Sequence, residues 1–191
     1  RRWTARVARV DRDSVALDIA AECSAPSPRG PRLTLAAALP KGERQKWLVE
    51  KLTELGVHAF VPLDTARGVA EAGDAARTRL GRVVIEACKQ CGRDTLMEIG
   101  ESRPLAALLA GAATGVRIVI ADPHGGPLDG AATAGIAAAS TVETLGLVGP
   151  EGGFTAEELA TADTAGAIRV SLGPHILRVE TAAIALAARF A

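Results

Sequence analysis

Two stretches of this chain carry residue types that could hold a small polar ligand. Leu147-Val148-Gly149-Pro150-Glu151-Gly152-Gly153-Phe154-Thr155 runs from an apolar segment through three glycines and a carboxylate into a helix start. Glycines let backbone approach a ligand with no Cβ in the way, and free amides there can bond its polar edge. On its own the stretch also fits a sharp strand-to-helix turn that binds nothing. It is not a Walker A loop, since no Gly-Lys-Ser/Thr follows, and it lacks the Gly-x-Gly-x-x-Gly spacing of dinucleotide sites. Glu151 puts negative charge where a phosphate would sit, which favours a ligand with a cation or hydrogen-bond donors. The second stretch, Leu172-Gly173-Pro174-His175-Ile176-Leu177-Arg178-Val179-Glu180-Thr181, again links a strand to an Ala-rich helix, so the two loops can converge. Arg178 and Glu180 also read as an ion pair near a helix start. His175 reads equally as a hydrogen-bonded loop histidine.

Other chemistry is less well supported. Cys88-Lys89-Gln90-Cys91 has the CxxC spacing of redox and zinc sites, but both cysteines fall on a predicted apolar helix stripe, and zinc would need ligands from scattered Cys23, His58, His124 and His175. Core packing is the expectation for both, and no metal is expected. No Gly-x-Ser-x-Gly elbow suggests a serine hydrolase. Arg1, Arg2, Arg6, Arg9 and Arg12 crowd the first segment with only Asp11 opposing them, a local patch for a polyanion.

The elements that must position these loops can be read from periodicity. Residues 2–7 alternate, and Val15, Leu17 and Ile19 alternate again after Asp11-Arg12-Asp13, which predicts an antiparallel pair. Ser24 to Pro31 holds three prolines and a glycine and marks a domain boundary, dividing the chain into 1–30 and 31–191. Beyond it, strands are expected over 33–39, 59–63, 116–121, 144–148 and 167–172. Helices are expected over 43–55, from an Asp74 N-cap to Gly92, and over 104–113, 128–139 and 155–165, with Thr155 and Glu158 forming a capping box. Such alternation predicts a parallel sheet covered on both faces, with ligands at the strand C-terminal ends.

Composition agrees with a packed soluble chain. Of 191 residues 48% are hydrophobic, and 22 basic residues balance 22 acidic ones, so disorder and a global pull toward nucleic acid are both disfavoured. No apolar run reaches the length of a membrane span. Three cysteines without a disulfide framework suit a reducing, cytoplasmic setting. The start at Arg1-Arg2-Trp3 reads as a chain begun part-way.

Taken in order, Lys41-Gly42-Glu43-Arg44, Glu54-Leu55-Gly56-Val57, Gln90-Cys91-Gly92-Arg93, Gly149-Pro150-Glu151-Gly152-Gly153-Phe154 and Leu172 through Ala182 resemble the RsmE family, bacterial methyltransferases acting on N3 of a uridine in small-subunit ribosomal RNA. The resemblance runs from about Leu33 to the C-terminus. It implies a SPOUT-type α/β domain with helices on both faces of a parallel sheet, a C-terminal trefoil knot, bound S-adenosyl-L-methionine and a homodimer. It also implies a PUA-like β-barrel ahead of that domain, of which residues 1–30 would be a part or a remnant. Carried over by position, Val148, Gly149, Glu151, Gly152 and Gly153 would line one side of the cofactor pocket. Leu172, Gly173, Ile176 and Leu177 would line the other.

Arg178 would stabilise a uridine anion or its phosphate, and Glu180 would orient Arg178 or take the proton. Arg2, Arg6, Arg44, Arg67 and Arg93 would meet RNA. The family usually has Arg where His175 stands, and the segment after Arg93 lacks a common Pro. Three alternatives stay open on the sequence: a SPOUT enzyme with another RNA target, a non-catalytic RNA-binding protein, and a different nucleotide-binding enzyme. The partner implied is small-subunit ribosomal RNA, free or in the assembled subunit, with no membrane.

Overall fold

A computed structural model describes residues 2–23, 32–68, 73–128 and 142–190, with backbone alone at residues 2 and 23. Along the chain lie β1 (Arg2–Val10), β2 (Val15–Cys23), β3 (Leu33–Ala37), α1 (Arg44–Glu54), β4 (Ala59–Asp64), α2 (Asp74–Cys91), β5 (Glu98–Ile99), β6 (Arg103–Pro104), α3 (Leu105–Ala110), β7 (Arg117–Pro127), β8 (Thr144–Val148), α4 (Ala156–Thr164), β9 (Ile168–Ser171) and α5 (Val179–Phe190). β3 through β9 form one sheet in the order β5-β4-β3-β8-β7-β9, with β6 beside β4, and every pairing in it is parallel.

A parallel sheet carries its crossover helices on its faces, so its central strands are apolar on both sides. All five residues of β8 are buried accordingly. On one face Leu35 and Ala37 of β3 pack with Leu48, Val49 and Leu52 of α1, Leu80 and Val84 of α2, and Leu186 of α5. On the other, Ala36, Ile120 and Leu147 pack with Leu105 and Leu109 of α3, Phe154, and Ala162 of α4. The period-two alternation of strand side chains therefore divides the core into two layers.

The α/β reading and its parallel sheet agree with this architecture, and several boundaries move. Asp74 is the first helical residue of α2 rather than its cap, which is Gly73. α3 is shorter than the predicted 104–113, because Pro104 holds extended backbone at its start and Gly111 closes its end. β7 runs six residues past the predicted end at Ala121. The two-residue strands β5 and β6 are too short to leave a pattern. The Pro-rich boundary over 24–31 and most of the helix expected over 128–139 lie outside the described residues.

β1 and β2 form a separate antiparallel sheet, with Ala5 opposite Ile19 and Val7 opposite Leu17. Its large apolar residues, Trp3, Val7, Val10, Val15, Leu17 and Ile19, are all exposed. Among the described residues no helix is long and apolar enough to cross a membrane.

Candidate functional site

The C-terminal ends of β7, β8 and β9 surround a cleft of about 300 Å³. Val148, Gly149, Glu151, Gly152 and Gly153 line it from the end of β8, and Leu172, Gly173, Ile176 and Leu177 from the end of β9. The structure thus brings together every position that the two sequence stretches offered for a cofactor. Gly153 has a φ of +67°, a left-handed conformation that turns the loop toward the Thr155 cap. The Thr155 hydroxyl accepts the Glu158 N–H and the Glu158 carboxylate accepts the Thr155 N–H, which is the capping box expected there. Ile176 is 80% exposed, an apolar side chain with little protein over it.

A third wall was not expected. Ala121, Asp122, Pro123 and His124 line the cleft from β7. Ala121 and Gly126 both stand opposite Val170 of β9, so residues 122–125 leave the sheet and rejoin it at the same rung. The Asp122-Pro123-His124-Gly125-Gly126-Pro127 run carries turn residues that mark such a departure, but an apolar strand followed by Pro and Gly reads more simply as a strand end.

The buried Asp122 carboxylate accepts the His124 N–H at 3.0 Å and lies 3.4 Å from Nη1 of Arg169. Arg169 also donates to Asp163, through Nε at 2.8 Å and through Nη2. The guanidinium beside Asp163 holds that carboxyl below the ordinary carboxylate range. Hydrogen bonding to Asp163, with Asp122 adding to it, raises Arg169 in turn.

Arg67 also lines the cleft and donates through Nη1 to the Gly152 carbonyl. Its loop is held by Glu158, whose second oxygen accepts the Ala66 N–H at 2.9 Å. Glu158 therefore ties the loop after β4 to the start of α4.

The remaining candidates sit elsewhere. Neither Arg178 nor Glu180 lines the cleft. Arg178 is exposed beside Leu177, which does, and its carbonyl accepts the Ala182 N–H in the first turn of α5. Glu180 is buried and pairs with Arg44 of α1 at 3.4 Å, so the ion pair read between Arg178 and Glu180 is replaced by one joining α5 to α1. Arg93 is turned inward, donating to the carbonyls of Thr53 at 2.9 Å and Val57 at 2.7 Å, and burial lowers its pKa. It closes the turn between α1 and β4, an employment at odds with a free RNA contact.

Arg6 is exposed on β1, opposite Asp18, and Arg2 is described in backbone only. Cys88 is buried as expected, whereas Cys91 is exposed, because α2 ends there beyond its packing surface. Among the described residues no group of three or more His, Cys, Asp or Glu could hold a metal.

A family model described as RNA methyltransferase domain matches residues 27–191. The chain belongs to this family. Over 169 residues this RNA methyltransferase domain is 36% identical to ribosomal RNA small subunit methyltransferase E of Mycobacterium bovis, a match covering 82% of the chain and 61% of that relative. It is 32% identical over 159 residues to the protein of the same name from Bacillus subtilis, covering 79% and 62%. The chain thus spans about three-fifths of the length of these curated relatives. Among solved structures, it superposes on a ribosomal RNA small subunit methyltransferase E from Neisseria gonorrhoeae bound to S-adenosyl methionine. That match has a TM-score of 0.84 at 28% identity and covers 97% of this chain and 76% of that one. The resemblance carried by the ordered motifs and these relatives point the same way.

Proposed function

We propose that this RNA methyltransferase domain transfers a methyl group from S-adenosyl-L-methionine to N3 of a uridine in small-subunit (16S) ribosomal RNA. The observation that carries the reading is the convergence of the two glycine-bearing loops on one cleft at the C-terminal ends of β8 and β9, in a fold that as a whole resembles the S-adenosyl methionine-bound relative. The cleft suits such a cofactor. Its volume falls at the lower end of the range of small-molecule sites, about 300 to 1,000 Å³. Glycines 149, 152 and 153 expose backbone to it, and Leu172, Ile176 and Leu177 offer apolar cover for a ring.

Bound there, the cofactor supplies an activated methyl on a sulfonium, which leaves the protein chiefly the work of alignment. Glu151 puts a carboxylate on the same cleft as a cationic ligand. Uracil N3 must lose its proton, and we assign to Arg178, exposed and next to the cleft-lining Leu177, the stabilisation of the resulting anion or its phosphate. Glu180, anchored to Arg44, fixes the first turn of α5 and through it the place of Arg178. Arg6 and Arg67 are the exposed arginines we assign to RNA, with Arg2 joining them from the sequence pattern.

Residues 1–30 are, in this reading, part of a PUA-like barrel and 31–191 the SPOUT domain. The exposed apolar face of β1 and β2, which a barrel would enclose, supports the first. The return of α5 from edge strand β9 to pack over β3 and β8, as a knotted C-terminus does, supports a trefoil knot in the second. We further assign the protein to the cytoplasm as a homodimer.

The test is calorimetric titration with S-adenosylmethionine, followed by methylation of small subunits lacking the modification and mass spectrometry of the modified base. Wild type should bind and yield 3-methyluridine, and Gly152→Val, whose side chain would crowd Arg67 at the cleft, should lose binding while staying folded. Absence of binding by wild type, or a methyl group found on another atom or base, sinks the assignment.

A further inference from the structure

We propose that Arg169 and Asp122 are positioning residues that hold residues 122–125 in place as the third wall of the cleft; the inference rests on the cofactor reading above. The segment leaves the ladder after Ala121 and returns at Gly126, both opposite Val170, so among the described residues no strand pairing holds 122–125 in register. Something else must fix them, since an extruded strand segment otherwise keeps its conformational freedom. Three contacts do so. Asp122, only 6% exposed although it borders the cleft, accepts the His124 N–H with one oxygen, closing the turn on itself. Its other oxygen faces Arg169 at 3.4 Å. At the far end, Gly125 lies on the backbone of Arg169 and Val170 so closely that a Cβ there would come within 2.6 Å of both.

Arg169 is itself immobilised. Its planar guanidinium is forked onto both oxygens of Asp163 at the end of α4, and from there reaches Asp122. Neither Arg169 nor Asp163 lines the cleft. The line of contacts therefore runs from α4 through β9 to the wall, and its end point is the shape that residues 121–124 present to a ligand.

The experiment titrates wild type, Arg169→Gln, Asp122→Asn, the double variant and Arg169→Lys with S-adenosylmethionine. Each is also titrated with S-adenosylhomocysteine, which lacks the methyl group and with it the sulfonium charge. Each single variant should bind both ligands roughly tenfold more weakly, the equivalent of one charge-assisted hydrogen bond. The double variant should be no worse than the weaker single one, because both act on one contact. Arg169→Lys should recover part of the affinity, and in Arg169→Gln the rise in cofactor KM should exceed any fall in kcat.

Asp122→Asn preserves side-chain shape and carries the test if Arg169→Gln does not fold. Wild-type affinity for both ligands in folded variants overturns the proposal. So does a loss confined to S-adenosylmethionine, which would make Asp122 a direct partner of the cationic centre. If wild type binds neither ligand, the cofactor reading itself fails and this inference fails with it.

Discussion

Arg93 shows what single residues conceal. Following a helix end and a glycine, it reads as a surface cation available to RNA, because nothing local reveals that the end of α1 passes beside it. In the fold its guanidinium bonds the carbonyls of Thr53 and Val57. Removing a charged donor from two carbonyls costs about 1.5–3 kcal/mol for each bond lost. Arg93→Ala should accordingly lower the urea midpoint more than any of the surface arginine variants, with Lys recovering only part, since one ammonium cannot reproduce the fork. A midpoint within error of wild type would mean that the two bonds contribute nothing. The cysteines give a second residue-scale expectation. Burial pushes the Cys88 thiol up and away from thiolate, while Cys91 is exposed, so iodoacetamide should label Cys91 before Cys88 by peptide mass mapping. The sequence pattern placed both in the core because helical spacing continues to the last residue of α2, whereas packing stops a turn earlier.

Individual elements were more legible, to the extent that their causes are local. β8, the Thr155 cap and the glycine after α2 are written in adjacent residues, and all appear in the structure. What adjacent residues do not contain is partnership. Glu158 announces a capping box but not its second bond, to Ala66 on the loop that carries Arg67. Thr155→Ala should cost about 1 kcal/mol, the usual value of an N-cap. Glu158→Ala should cost more, because it frees the Ala66 amide as well; equal losses in denaturant melts would assign Glu158 to capping alone.

The contact between β9 and the end of α4 makes a pH prediction. Asp163 is depressed in the folded state by the hydrogen bond from Arg169. A carboxyl lowered on folding contributes stability that is complete above its unfolded value, about 3.9, and is lost as pH falls through the lower folded value. Wild type should therefore lose stability more steeply than Asp163→Asn as the pH drops below about 4. Parallel slopes in the two melting series would remove this pair from the acid response.

For the whole molecule, the class of fold was readable and its arrangement was not. Alternating strands and helices require a parallel sheet, yet nothing in the chain order places β3 beside β8, since that pairing joins segments far apart in sequence. The two loops that line the cleft from β8 and β9 were legible because each carries its own glycines, whereas the wall built by Asp122 needs β9 to complete it. The two sheets should also differ in persistence. In this chain taken by itself the large apolar side chains of β1 and β2 are exposed, and an isolated two-stranded hairpin is marginally stable. In hydrogen exchange, amides of Val7 and Leu17 should be replaced well before those of Leu35 and Leu147. Comparable protection would show that the hairpin is covered in solution.

The detour in β7 has a consequence for how this architecture can vary. Because the strand departs and resumes against one residue, Val170, the number of residues spent outside is independent of the alignment on either side. Chain can be added or removed between Asp122 and Gly125 without turning a downstream side chain inside out, a freedom ordinary strands lack, although the turn closed by Asp122 on the His124 N–H would have to be rebuilt. The rim of the cleft is thus the part of this sheet that can change length while its scaffold stays fixed.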